Sequence, residues 1–345
     1  MKSRIRDFFY KPLGLINAAI GRLFRLRVMP HANLYPWQIR PQYGPSWRKG
    51  TVSEGDAAYL RSTNPRLIEL TSAYRKVDAD ATRPAVWVDG KLSDEELLHF
   101  RGQNPYMNQL SGLNFNELSY ALSYYALKAS SATDLIERLD EDGSFGVHTF
   151  QFDQRTVSRD LLDSAREIDF LRRHVGLGAP DTNILDIGAG YGRLAHRLNQ
   201  ATGNNVRIFA TDAFAPSTFL AEYYLKVRNA ERTRVVPLHE IDAFLAETKI
   251  NVATNVHSFS ECRLEAVEWW VSRLAKHNVR HLFIVPNKIE DHSGAALTNR
   301  DEPIEPIFER HGYRLQLREW RYVDRAVARY AVDPALFSLF VMGDT

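Results

Sequence analysis

Ile184-Leu185-Asp186-Ile187-Gly188-Ala189-Gly190-Tyr191-Gly192 is the stretch on which the architecture turns. It starts as a short apolar run with an acid inside it and ends in three glycines separated by single residues. The run has the length of a buried strand, and glycines at its end let the backbone turn sharply and let a ligand approach the main chain. Outward from it, apolar runs alternate with helical runs to the end of the chain. The pattern predicts strands at 183–187, 207–211, 234–238, 251–257, 281–285, 313–320 and 337–342. It predicts helices near 193–201, 216–229, 240–247, 263–277 and 304–311. Strands separated by helices imply βαβ crossovers and a mostly parallel sheet covered on both faces, an α/β fold. The last two strands have no clear helix between them, which predicts a closing hairpin.

The second of these strands ends Phe209-Ala210-Thr211-Asp212, which puts Asp212 20 residues beyond Gly192. An acid at that place can hydrogen-bond both hydroxyls of a ribose. Two kinds of cofactor compete for the loop. A dinucleotide site wants G-x-G-x-x-G, so that a pyrophosphate lies on the helix N-terminus. Here the spacing is G-x-G-x-G, with Arg193 in the place of the third dinucleotide glycine. Asp186, just ahead of the loop, would repel a pyrophosphate. S-adenosylmethionine carries an ammonium group and no phosphate, so it suits Asp186 better. Strand, acid, glycine loop and second acid together favour it over a dinucleotide or a loop that binds nothing.

Composition bounds the rest. The 345 residues are 44% hydrophobic and 25% charged, which excludes wholesale disorder and provides for a large core. A single cysteine, Cys262, excludes an intramolecular disulfide framework and a cysteine-based zinc finger. Residues 1–50 carry ten Lys/Arg and one acid, a net +9, while the remainder holds 34 basic and 41 acidic residues, a net −7. The body is therefore no basic nucleic-acid binder. Within the arm, Leu13, Ile16, Ile20, Leu23 and Phe24 recur at helical spacing beside Arg22, Arg25 and Arg27. Such a helix lies on an anionic membrane surface or, the plainer reading, packs on the body or on a second copy in a homo-oligomer. The apolar stretch 13–20 contains Gly14 and Asn17, and no cleavage site follows, so secretion is not expected. No apolar run approaches the about 20 residues of a membrane-spanning helix. The reading is cytoplasmic, with peripheral contact at the inner membrane face open to the arm.

Residues 30–50 mix Pro30, Pro36, Pro41 and Pro45 with Tyr35, Trp37, Tyr43 and Trp47, an irregular connector. Ser93-Asp94-Glu95-Glu96 is a capping box that opens a helix through Phe100. Further helices are predicted over 116–128, with Leu118, Leu122 and Tyr125 on the inner face, and over 155–175, with Leu161, Leu162, Ile168 and Leu171 inward. The chain thus divides into an arm and connector (1–50), a mainly helical acceptor or lid region (51–175) and the α/β domain (176–345).

On these residues the second half, about 183–343, resembles the class I S-adenosylmethionine-dependent methyltransferases. The resemblance implies a Rossmann-like seven-stranded sheet with an antiparallel last strand. It implies cofactor contacts from Asp186, Gly188, Gly190 and Gly192, with Asp212 on the ribose. The loop after the third strand, near His239, would flank the adenine, and Asn255 at the end of the fourth strand joins the cofactor set. A narrower resemblance rests on Asn255-Val256-His257-Ser258-Phe259-Ser260-Glu261-Cys262, Phe219-Leu220-Ala221-Glu222-Tyr223-Tyr224-Leu225 and Val157-Ser158-Arg159-Asp160-Leu161-Leu162. These look like the bacterial sugar O-methyltransferase family, whose fourth strand runs into an N-S-F-x-E-M-like turn. His257 stands here where Asn is usual, and Cys262 where Met is. The family's acceptors are sugars of polysaccharides, glycolipids or glycosylated metabolites, which implies a role in polysaccharide biosynthesis or a related pathway.

Methyl transfer to an alcohol is an in-line displacement that needs alignment, exclusion of water and a base for a weakly acidic hydroxyl. In such sheets the ligand crevice lies beyond the carboxyl ends of the strands, so bases are sought after the fourth and fifth. His257 and Glu261 follow the fourth, and Asp291 and His292 follow the fifth. His257, Glu261 and His292 are the catalytic candidates, with Asp291 a substrate contact. Tyr120 and Tyr124, with Tyr106, Phe115 and Tyr125, could wall a sugar site, and Asn104, Asn108, Asn114 and Asn116 could meet its hydroxyls. The same aromatics could equally be core. Glu261, Glu290, Asp291, Asp301 and Glu302 could supply oxygen ligands to a divalent metal, but no spacing is a metal signature and no metal is predicted. Methylation of another small molecule, a dinucleotide-dependent oxidoreductase and a non-catalytic cofactor-binding scaffold remain as alternatives. A nucleic-acid methyltransferase is disfavoured, because the fourth strand runs into His257-Ser258-Phe259-Ser260 and not N/D-P-P-Y/F.

Overall fold

In the computed structural model the described residues are 52–82, 92–102, 117–177, 179, 181–203, 206–331 and 335–343. The arm and connector of residues 1–50, and Asn104, Tyr106, Asn108, Asn114, Phe115 and Asn116, lie outside them. Among the described residues the first half is helical except for one hairpin, β1 (Thr149–Phe152) against β2 (Arg155–Ser158). Its turn is Asp153-Gln154, both at positive φ (48° and 66°), the geometry of a tight hairpin turn that matches strand twist. This corrects the predicted helix over 155–175, which begins only at Arg159. Ser158 closes β2 and caps the helix, its Oγ accepting from Leu161 N at 3.1 Å, and Gly176 at φ 75° ends it. The capping box at Ser93 is present and opens the helix Asp94–Leu98.

The second half supplies β3 (Thr182–Ile187), β4 (Val206–Thr211), β5 (Thr233–Val235), β6 (Val252–Val256), β7 (His281–Val285), the short pair β8 (Lys288–Ile289) and β9 (Ala296–Leu297), β10 (Tyr313–Trp320) and β11 (Leu336–Met342). Seven of them form one sheet in the order β10-β11-β7-β6-β3-β4-β5. β3 to β7 run parallel, and β11 is antiparallel to both β7 and β10. This is the Rossmann-like sheet with the antiparallel last strand that the sequence implies. β5 stops one residue after it was predicted to begin: Val236 N still donates to the Ala210 carbonyl on β4, but Leu238 N turns away to Tyr74 Oη. The helices Arg193–Ala201, Ala215–Val227, Ile241–Glu247, Leu264–Lys276 and Glu305–Arg310 lie within about two residues of their predicted positions.

β3 is buried along its whole length, so its carboxyl end opens into the crevice between crossovers that leave the sheet in opposite directions. One hydrophobic cluster runs from Leu60 through the helical region to Phe340, and Trp269 and Trp270 pack within it. Among the described residues no helix is long and apolar enough to cross a membrane.

Candidate functional site

β3 ends with Asp186 buried, its Oδ1 accepting from Thr254 Oγ1 on β6 at 2.7 Å. Burial pushes this carboxyl up to about 7 against the Thr254 bond and the Arg193 charge, which favour the ionised form. The chain then turns through Gly188, Gly190 and Gly192, at φ 70°, 58° and 85°. A Cβ at Gly188 would sit 2.2 Å from Ser258 Oγ, so the turn after β6 leaves no space there for a side chain. The turn is strapped to β4: Gly188 N and Ala189 N both donate to the Thr211 carbonyl, at 2.9 and 3.1 Å. Asp212, the next residue, accepts from Gly190 N at 2.9 Å and Phe214 N at 2.8 Å. Burial pushes Asp212 up to about 6, with the charge of Glu261 adding to the rise. A buried and a half-buried carboxyl thus flank a glycine turn whose main chain the second holds.

Beyond the turn, Arg193 faces inward. Its guanidinium donates to Glu167 at 2.8 and 3.0 Å and to Ser164 Oγ at 2.7 Å. The side chain in the place of the third dinucleotide glycine is therefore committed to the helix Arg159–Val175.

The end of β6 forms the second wall. Asn255 is buried, donating to the Ile187 carbonyl and accepting from Phe259 N, both at 2.9 Å, so it braces β3 against the turn. His257 adopts φ 69° and ψ −33°, and its N–H donates to the Val285 carbonyl at 2.7 Å. Few non-glycine residues adopt a positive φ. Glu261, half-buried, accepts from Asn287 Nδ2 at 2.9 Å, while Asn287 N donates to Ser260 Oγ at 3.0 Å. Asn287 so ties the turns after β6 and β7 together. The sequence reading missed it, although an Asn directly after Val285-Pro286 marks a strand end at the crevice.

His239 follows β5, exposed, its ring edge-on to Tyr74 at 5.9 Å. The structure thus brings Asp186, Gly188, Gly190, Gly192, Asp212, Asn255, His257 and Glu261 together, with His239 at the far end. It does not bring Asp291 and His292 with them. Both are exposed at the tip of the β8–β9 hairpin, whose neighbouring Ser293 carbonyl accepts from Arg318 at 2.8 Å, out toward β10 and β11. Tyr120 and Tyr124 are core, not open walls: both are buried, Tyr120 against Phe150 at 4.6 Å and Tyr124 stacked on Phe152 at 5.5 Å. The inner face of their helix, Glu117–Lys128, is correspondingly Tyr120, Tyr124 and Leu127, with Leu118 and Tyr125 exposed. Of the acids considered for a metal, Glu290 accepts from Ser293, Asp301 pairs with Lys288 at 2.6 Å and Glu302 accepts from Thr298 at 3.2 Å. Among the described residues no group of three or more His, Cys, Asp or Glu could hold a metal ion. Burial pushes the Cys262 thiol up to about 12, which removes it as a nucleophile.

No protein-family model and no curated protein matches the chain. Solved structures do. The chain is similar to magnesium protoporphyrin IX methyltransferase from Synechocystis PCC 6803 with bound SAM, at 15% identity, 63% of this chain, 94% of that one and a TM-score of 0.38. It is similar to a SAM-dependent methyltransferase from Aquifex aeolicus, at 17% identity, 50% and 87% coverage and a TM-score of 0.38. It is also similar to geranyl diphosphate C-methyltransferase from Streptomyces coelicolor A3(2), at 12% identity, 53% and 80% coverage and a TM-score of 0.36.

Proposed function

We propose that the chain is an S-adenosylmethionine-dependent methyltransferase whose acceptor is a sugar hydroxyl. The observation that carries the cofactor is the pair Asp186, buried, and Asp212, half-buried, at the ends of adjacent parallel strands with the glycine turn between them. A carboxyl pushed up to about 7 by burial calls for a cation beside it, and an ammonium group supplies one. Asp212 would receive the ribose hydroxyls, and the glycine turn would let the ligand approach the main chain. A pyrophosphate would face two acids, with Arg193 already bound to Glu167. When bound, the cofactor supplies a methyl on a sulfonium, an electrophile that needs no metal.

Glu261 is the residue proposed to take the acceptor's proton. It stands at the turn after β6, its charge reaches Asp212, and Asn287 orients it. His257 lines the same turn. Sugar specificity rests on the resemblance across 255–262 and on the site's choice of a carboxylate, which accepts from hydroxyls. Membrane contact or oligomer formation, if the chain has either, falls to the +9 arm; liposome flotation with and without residues 1–28 separates the first from packing.

Titration calorimetry with S-adenosylhomocysteine, NAD and NADP tests the cofactor: S-adenosylhomocysteine is expected to bind and the dinucleotides are not, and the reverse would overturn the reading. A labelled-methyl screen over sugars and non-sugar hydroxyl compounds then tests the acceptor. On the acceptor found, Glu261→Gln should slow transfer about 10²- to 10⁴-fold, the usual worth of a general base, with S-adenosylhomocysteine affinity within about twofold of wild type. Unchanged turnover would remove Glu261 from the chemistry.

A further inference from the structure

Tyr74 ends the helix Pro65–Tyr74, outside the sheet, yet its hydroxyl is buried between two segments of the candidate cofactor site. Tyr74 Oη accepts from Leu238 N at 2.9 Å and lies 2.7 Å from Thr218 Oγ1. Thr218 Oγ1 lies 3.5 Å from the Asp212 main-chain carbonyl. The proton directions follow from chemistry. A main-chain N–H can only donate, so the Tyr74 oxygen accepts from Leu238, the Tyr74 proton goes to Thr218, and the Thr218 proton points to the Asp212 carbonyl. This relay joins the end of β4, where Asp212 stands, to the turn after β5, where His239 stands. Tyr74, Thr218 and Leu238 are all buried, so water does not replace a lost bond. The same segment makes other contacts farther out. Arg66 pairs with Glu222 at 2.6 and 2.9 Å, and Tyr59 stacks on Phe219 and Tyr223, all on the helix Ala215–Val227 itself.

We infer that Tyr74 is a positioning residue of the cofactor site: it fixes the separation of the two segments that would flank the adenosine half of the ligand, and so sets affinity for that half. The inference rests on the cofactor reading above. Its specific content is that one hydroxyl, supplied by the helical region, acts on the nucleoside end and leaves the amino-acid end at Asp186 alone.

The test is titration calorimetry of the full chain with S-adenosylhomocysteine and with methylthioadenosine, which lacks the amino-acid end. The proteins are wild type, Tyr74→Phe, Thr218→Val, the double variant and Arg66→Gln, each with a thermal melt. Tyr74→Phe and Thr218→Val should each weaken both ligands by the same factor, about three- to tenfold, the net worth of one buried hydrogen bond. The double variant should be no weaker than the worse single one, because both break one relay. Arg66→Gln, which loosens the helix without touching the relay, should bind as wild type does. Wild-type affinity in Tyr74→Phe, or an equal loss in Arg66→Gln, overturns the inference and leaves the cofactor reading standing. Failure of wild type to bind either ligand overturns the cofactor reading, and this inference with it. Should Tyr74→Phe not fold, Thr218→Val carries the same comparison.

Discussion

At the scale of the residue, Asp186 trades stability for binding. Its folded value is raised from 3.8 to about 7, so between those values the folded chain holds a proton the unfolded chain has lost. Stability from this group therefore falls as pH rises through that window, and the full cost is present above it. Asp186→Asn removes the cost, and Asn can still accept from Thr254 Oγ1. At pH 8 the ligand-free variant should be more stable than wild type, by roughly 4 kcal/mol at most, the worth of that displacement. It should also bind S-adenosylhomocysteine at least about tenfold more weakly, since the neutral amide pairs poorly with an ammonium group. Urea denaturation and calorimetry on one preparation read both quantities. A variant that loses stability at pH 8 would refute the burial account of this carboxyl.

At the scale of the element, the helix Arg159–Val175 buries Asp160, Asp163, Glu167 and Asp169 along with its apolar face. Arginines from elsewhere meet them: Arg101 at Asp160, Arg321 at Asp163 and Arg193 at Glu167. The Tyr191 hydroxyl also donates to Asp160, so the helix underpins the glycine turn from below. Breaking one buried pair leaves an uncompensated charge, which costs about 3–5 kcal/mol. Glu167→Gln should lower the urea midpoint accordingly, and adding Arg193→Met should recover at least half of the loss, because the orphaned charge goes too. Additive losses would show that the two side chains act independently. This element also shows what a sequence can and cannot tell. Its leucines were legible at helical spacing, but its first turn was not, since Arg155 to Ser158 continues the periodic pattern and the hairpin turn Asp153-Gln154 has no glycine to announce it. The helix Glu117–Lys128 was legible as a helix and misread as to face, because two tyrosines bury against β1 while a leucine does not. Asp186 and Asp212 could be read because one sits inside an apolar run that ends in a glycine loop and the other ends the next such run. The pairing of Asn287 with Glu261 spans 26 residues and that of Tyr74 with Thr218 spans 144, and no local pattern encodes either.

At the scale of the whole molecule, the pH dependence of stability is a balance between opposed buried groups. Asp186 and Asp212, raised to about 7 and about 6, make the folded state gain protons as pH falls toward 4. Burial holds His196 down to about 2 and His148 to about 4, so the unfolded state gains protons as pH falls below the ordinary 6.5. The two acids favour the folded state under mild acid; His196 and His148 oppose them, and His281, also held below its ordinary value by burial, adds to the opposition. Glu141 enters lower. Burial alone would raise it, but Arg101 at 2.6 Å and Arg197 at 2.9 Å hold it at about 2, against an ordinary 4.5. Its contribution is present above 4.5 and is lost as pH falls toward 2. The ligand-free protein should therefore show only a shallow fall in stability from about pH 6 to 4.5 and a steep fall below. A ligand cation at Asp186 keeps that carboxyl ionised and leaves the histidines unopposed by it. With saturating S-adenosylhomocysteine, stability should already decline as pH falls through 6.5, and the two curves should converge in acid as binding is lost. Urea midpoints at half-unit pH steps, with and without S-adenosylhomocysteine, measure this directly. In Asp186→Asn the ligand-free curve should take on the early decline by itself, because the acid that offset the histidines is gone. Parallel curves with and without ligand would mean that the cofactor does not change the charge state of Asp186, and would move the ammonium site elsewhere.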